Sequence, residues 1–409
     1  MFAKPVVAAA LTAGAIAVGL PLLAQSGGPN GPVARYDMRA GTVSGMSAMG
    51  GGGAMSMMLG GGRGASVQHE LYLRLGSSQT PTKGGPKADH FPPPNAKLGK
   101  SVALVTPREE RGNLDEMPQK PKGRLLIYWG CGVNAPKGQP MVVDFSRLAA
   151  GQMPPGLWNS TVGRDLGPTL QNSRTFGRWP ADDGKFVKPD TTLPGLHRVA
   201  GNYSPEMSFT LSKDFMAALR VNSSSLPSGA SMVRWSGIPD ATGYLVGLFG
   251  GKQGPGGEML DMVMWSSSAT RQFGGGLADW LSPSQVGGLV RDRTVLAPSA
   301  TSCTIPTEVI RAAGDFRFGT LTAFGPEENF SYPPRPADPR AAWHLQWTAK
   351  IRHRSTTSWM SMQGMPGTGS GARGDEAGDD RGTGSQNCRP RRGGLGGMLG
   401  GALGGGGGC

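Results

Sequence analysis

The sequence predicts a mostly β protein: one or two antiparallel β-sandwich domains with short inserted helices, flanked by disordered Gly-rich segments. Three observations carry this. Apolar and polar residues alternate with a period of two in several short runs, which is how a strand buries one face. Turns bounded by proline and glycine separate those runs, as in a sandwich. The 68 glycines and 34 prolines make about one residue in four, and glycine is costly to order, so the middle of the chain must hold the core.

The N-terminus, Met1-Phe2-Ala3-Lys4 followed by an apolar run from Pro5 to Leu23 and then Gln25-Ser26-Gly27-Gly28-Pro29, has the charge, apolar centre and polar exit of a secretory signal. Residues 1–24 are assigned to it, with the cut after Ala24, although Leu22 departs from the usual small residue three places before a cut. The run is marginal for the ~20 residues that span a bilayer, so cleavage is favoured over a retained anchor. The mature chain is then not an integral membrane protein. Residues 25–66, which include Met46, Met49, Met55, Met57 and Met58, hold few bulky apolar groups and are expected to form a disordered Gly/Met-rich linker.

An N-terminal β domain is expected over 67–220. Leu71, Leu73 and Leu75 alternate with Glu70, Tyr72 and Arg74; Leu125 to Trp129 is apolar on both faces, as in a central strand; Met141, Val143 and Phe145 alternate, and so do Met207, Phe209 and Leu211. A second β domain with inserted helices is expected over 221–355. Val233 and Trp235 share a strand face, Ile238 to Gly243 makes a turn, and strands follow at Tyr244 to Leu248, Met262 to Ser266 and Phe316 to Phe324. A helix starts at Pro283, where Ser282 can cap the first turn and proline suits the first helical position; a shorter one begins at Thr307. Trp343, Leu345, Trp347, Ala349 and Ile351 alternate as a last strand, and 356–409 is expected to be a disordered Gly-rich tail.

The stretch from Met232 to Tyr244, with Trp235 and Tyr244 flanking the Ile238-Pro239-Asp240-Ala241-Thr242-Gly243 turn, resembles the B-to-C strand signature of fibronectin type III-like domains. That resemblance implies an Ig/fibronectin III-like sandwich in the second domain, with Phe316 to Ala323 as its F strand and the helix at Pro283 as an insertion. The chain as a whole, especially Arg124 to Gly132 and Tyr332 to Pro339, is similar to exported Gram-negative bacterial proteins, which implies the compartment.

The formal charge is +13, with the basic residues dispersed. Dispersal and export argue against nucleic acid; an anionic envelope surface or simple solubility accounts for the field. Four cysteines allow three full pairings, an oxidising compartment makes pairing the default, and their spacing fits no zinc site. Cys131 and Cys303, the two in structured-looking sequence, are expected to bond; Cys388 and Cys409 lie in the tail.

No residue is assigned a catalytic, cofactor-binding or metal-binding role. Met46, Met49, Met55, Met57 and Met58, and separately Met360, Met362 and Met365, are spaced to offer soft thioethers to Cu(I), but compositional bias alone produces such spacings. Gly99-Lys100-Ser101 ends like a phosphate loop, yet Pro94 stands where its first glycine is needed. His69, His90, His197, His344 and His353 form no metal-type pair, and a solvated face accounts for His344 and His353. Asp182, Asp183 and Asp190 miss a calcium loop's spacing. Arg373-Gly374-Asp375 carries no weight in so biased a tail, and Trp129, Trp235 and Trp265 read as core rather than a sugar platform. The expectation is an exported, non-enzymatic binding or structural protein of the periplasm, cell surface or exterior, partnered by an envelope glycan or protein. An envelope hydrolase acting on glycan or peptide and a Met-rich periplasmic copper protein are the alternatives.

Overall fold

The computed structural model describes residues 31–49, 67–107, 123–152, 154–157, 167–181, 185–255, 259–273, 276–338 and 340–362. In chain order the strands are β1 (Ala34–Gly45), β2 (Val67–Ser77), β3 (Ala88–Phe91), β4 (Val102–Ala103), β5 (Arg124–Trp129), β6 (Met141–Asp144), β7 (Thr175–Trp179), β8 (Phe186–Val187) and β9 (Gly195–Gly201). They continue with β10 (Met207–Leu211), β11 (Val221–Ser225), β12 (Ser231–Trp235), β13 (Gly243–Gln253), β14 (Met259–Ser266), β15 (Ser302–Ile305), β16 (Phe316–Tyr332) and β17 (Trp347–Met362). The helices are α1 (Phe145–Ala149), α2 (Pro283–Arg291) and α3 (Thr307–Ala312). The protein is mostly β, and α2 starts as its sequence requires: the Ser282 hydroxyl accepts from the Gln285 N–H, and the Gln285 side chain accepts from the Ser282 N–H. No helix among the described residues is long and apolar enough to cross a membrane.

One ten-stranded sheet runs in the order β6-β5-β14-β13-β16-β17-β1-β2-β7, with β8 also on β2. Two small sheets, β10-β9-β3-β4 and β11-β12-β15, cover one of its faces. Under the first lie Tyr36, Met38 and Ala40 of β1, Leu71, Leu73 and Leu75 of β2, and Trp347, Ala349 and Ile351 of β17, packed against Val199, Met207 and Phe209. Under the second, Val246, Leu248, Val263, Trp265, Leu321 and Trp359 meet Val233, Trp235 and Ile305. The two cores are side by side because β17 pairs with β16 on one edge and, in parallel, with β1 on the other. On the opposite face α2 packs through Val286 and Leu289 against Phe324.

Four expectations are corrected. The linker expected over 25–66 contains β1, whose alternation of Tyr36, Met38 and Ala40 with Arg35, Asp37 and Arg39 is a period-two signal hidden by the surrounding glycines. β1 is ordered by pairing on both edges, with β2, the next strand, and with β17, which lies far along the chain. The division between 67–220 and 221–355 is not a boundary in the sheet: β5 pairs in parallel with β14, so a piece of the first segment completes the far edge of the second. Finally, β17 begins at Trp347 and runs to Met362, into the expected tail, because Thr356 to Met362 pairs with Thr322 back to Phe316. His353 on this strand is buried, not solvated, since it points under the small sheets.

The expected Cys131–Cys303 disulfide is present and ties the end of β5 to β15, across a sequence separation of 172.

Candidate functional site

Where β17, β1 and β2 lie together, the face opposite their shared core carries a buried charged cluster. Residues of odd number on β1 and even number on β2 and β17 reach it, so Asp37 and Arg39, Glu70, Tyr72 and Arg74, and Arg352 and Arg354 become neighbours through register: Asp37 opposes Arg74, and Arg39 opposes both Tyr72 and Arg352. Asp37 is 2% exposed. Its Oδ1 accepts from Arg352 Nη2 at 2.5 Å; its Oδ2 accepts from Arg74 Nη2 at 2.6 Å and from Arg39 Nε at 3.0 Å. Burial alone would raise the pKa of Asp37, but the charges of Arg352, Arg74 and Arg39 hold it far below the usual carboxylate range. Arg352 also donates to the Trp280 carbonyl at 2.5 Å.

The Trp280 ring roofs the cluster. Arg354 stacks on it at 4.0 Å while donating to Glu70 Oε1 at 2.8 Å, and Tyr72 meets it edge-on. Three strands and the segment before α2 are thus joined by charge-assisted bonds. Close approach matters at Gly41: a Cβ there would lie 2.3 Å from Glu70 Oε1 and 2.5 Å from its Cγ. Gly41→Ala is expected to displace Glu70 from Arg354 and cost about 1–3 kcal/mol, read as a lower urea midpoint.

A second buried polar array lies inside the first core. Tyr36 Oη, His90 Nδ1, His90 Nε2, His197 Nδ1, His197 Nε2 and the Leu193 carbonyl form a chain with contacts of 2.9, 3.1 and 2.7 Å. A carbonyl only accepts, so His197 carries its proton on Nε2 and accepts at Nδ1. His90 therefore donates from Nε2 and accepts the Tyr36 hydroxyl proton at Nδ1, and both rings are neutral. Burial, followed by the neighbouring His197, pushes the His90 pKa down to about 3; burial lowers that of His197 too. A histidine whose folded pKa lies below its unfolded value near 6.5 contributes stability that is complete above that value and is lost as pH falls towards the folded one. The urea midpoint is accordingly expected to fall between pH 6.5 and about 3, with His90→Leu removing part of that slope.

Between the two cores the strap 212–220 crosses the sheet. Glu328 of β16 accepts from the Ser212 N–H and hydroxyl and from the Lys213 N–H. Burial would raise its pKa, but His353 beside it, at 3.8 Å, and these donors bring it down to about 2. Thr42 and Ser44 of β1 donate to the carbonyls of Met216 and Leu219, stapling the strap down.

The sequence singled out none of the residues of the charged cluster around Asp37, a clasp across β1, β2 and β17, for a role, because each charge alone reads as the solvated side of a strand. It did name His90 and His197, without their pairing across β3 and β9. Trp235 and Trp265 lie in the second core, with the Trp265 indole N–H donating to Gly130, and Trp129 is half-buried. Asp190 pairs with Lys97 at 2.7 Å, and the Ser101 hydroxyl donates to Asp89. His344 is exposed. The parallel pairing of Gly45 with Ser358 brings the turn Met46–Met49 against β17, the strand that carries Met360 and Met362. Asp182, Asp183, Met55, Met57, Met58, Met365, Arg373 to Asp375, Cys388 and Cys409 lie outside the described residues. Among the described residues no group of three or more His, Cys, Asp or Glu is placed to hold a metal ion.

No family model, curated protein or solved structure matches this chain.

Proposed function

We propose that this is an exported, non-enzymatic binding or structural protein of the cell envelope, with a fibronectin III-like second half. The observation that carries the reading is the Cys131–Cys303 disulfide, a bond that persists in oxidising compartments and is rare in reducing ones. The strand order supports the fibronectin III-like assignment: β11-β12-β15 packs over β14-β13-β16-β17, and the chain changes sheets between β12 and β13, where Trp235 and Tyr244 lie 5.5 Å apart. The clasp supports a structural role for its charges, since both Asp37 oxygens are engaged in ion pairs between strands.

Fractionation of the native host, with N-terminal sequencing and thiol alkylation of the recovered protein, tests this. The expected product begins near Gln25, is found outside the cytoplasm and has Cys131 and Cys303 protected from alkylation. A cytoplasmic protein with both thiols reactive overturns the proposal.

A further inference from the structure

Two groups of methionines that are far apart in the chain meet at one end of β17. The 3₁₀ turn Met46–Met49 follows β1 directly, and Met360 and Met362 close β17. Parallel pairing sets Gly45 opposite Ser358, so the turn starts where the last residues of β17 begin. Ser47 fastens it there, across 311 positions of sequence: its N–H donates to Ser358 Oγ at 2.7 Å, and the two hydroxyl groups share a hydrogen bond. Gly45 makes the close approach possible. Its φ is +66°, and a Cβ at this position would lie 2.2 Å from the Ser358 carbonyl oxygen. Met360 is two residues, about 7 Å, beyond Ser358 and on the same face of the strand.

Methionine ordinarily fills gaps in a core, as fully buried Met38 and Met207 do here. Met46 and Met360 are instead half-buried, at the margin of the sheet. Positions i and i+3 of a 3₁₀ turn share a side, as Met46 and Met49 do, and positions i and i+2 of a strand share a face, as Met360 and Met362 do. Four methionines are thereby gathered at one place on two anchored segments. Thioether sulfur is soft, uncharged and needs no deprotonation; it is a poor ligand for Zn(II) or Mg(II) and a suitable one for Cu(I). We infer that Met46, Met49, Met360 and Met362 form one Cu(I)-binding site. In the sequence they stand in two separate groups, and strand pairing joins them. The inference goes beyond the binding role proposed above and does not depend on export.

Titration of the full-length protein, its free thiols alkylated, tests it, with Cu(I) supplied as the acetonitrile complex under nitrogen against a colorimetric Cu(I) chelator. One equivalent is expected to bind, and a tenfold excess of Zn(II) should leave it in place. The variant Met46→Leu/Met49→Leu/Met360→Leu/Met362→Leu conserves volume and should keep a urea midpoint close to that of the native protein. It should weaken Cu(I) binding at least tenfold, whereas Met55→Leu/Met57→Leu/Met58→Leu should leave the affinity unchanged. NMR of the unaltered protein, labelled at its methionine methyl groups, supplies a readout independent of folding defects: one equivalent of Ag(I), a redox-inert analogue, should shift the resonances of the four site methionines together. No binding at one equivalent, displacement by Zn(II), undiminished binding by the four-leucine variant, loss of binding in the three-leucine variant, or shifts confined to other methionines would each overturn the inference. Its failure leaves the fractionation result standing, and a cytoplasmic location leaves the Cu(I) result standing.

Discussion

Asp37→Ala is expected to destabilise the fold by about 3–5 kcal/mol, because it leaves three guanidinium groups crowded around an emptied, buried site. Arg39, Arg74 and Arg352 are only 12%, 18% and 7% exposed, so water cannot replace the lost carboxylate charge cheaply. Most of that loss is the penalty of uncompensated charge rather than the worth of the ion pairs themselves. A second variant separates the two: Asp37→Leu combined with Arg39→Met, Arg74→Met and Arg352→Met should recover most of the lost stability, since apolar groups of similar volume often replace buried ion pairs without cost. Urea unfolding of the native protein and both variants reads the difference. The pH dependence has a definite sign. Asp37 has a folded pKa below its unfolded value, so its contribution is complete above the ordinary carboxylate range and is lost only as pH falls below it. The alanine variant should therefore lose part of the acid sensitivity below about pH 4.

Removing the disulfide is the other large effect. Cys131→Ser with Cys303→Ser, or reduction of the native bond, is expected to cost about 2–5 kcal/mol; the chain-entropy account puts a loop of this length near the top of that range. The loss should be local before it is global. Cys131 follows β5, the strand that completes the far edge of the sheet beyond β14, and Cys303 lies in the small sheet that covers it. Hydrogen exchange in the reduced protein should accelerate first in β5, β6 and β15, while β1, β2 and β17, bound by the clasp, remain protected. Uniform acceleration across all strands would show that the bond supports the fold as a whole and not this edge.

Several elements were readable from local pattern alone. β2, β5, β10, β12, β13 and α2 each carry their own signal: Leu71, Leu73 and Leu75 alternate, Leu125 to Trp129 is apolar throughout, and Ser282, Pro283 and Gln285 write a helix start. β1 carries a short alternation of Tyr36, Met38 and Ala40 with Arg35, Asp37 and Arg39, but it stands alone between Gly-rich stretches, and its apolar face is buried only once β2 and β17 flank it. The candidate site was illegible for the same reason. Asp37, Arg74 and Arg352 each look like one polar position on the outer side of a strand, and their meeting depends on pairing between residues as many as 315 positions apart.

What the sequence determined by itself was therefore the class of fold, the strand-forming segments of the middle, the start of α2 and the choice of Cys131 with Cys303 as the bonded pair. Each of these depends on residues that are neighbours in the chain, or, for the bond, on which of the four cysteines lie in strand-forming sequence. The assembled fold, by contrast, joins the two expected sandwiches in a single sheet, carries β5 to the other half, gathers three arginines on Asp37, and lines up Phe249, Phe318 and Met264 in one row. Each of these depends on strand order and register, and those are set by the summed burial of two cores, which no local stretch of sequence contains.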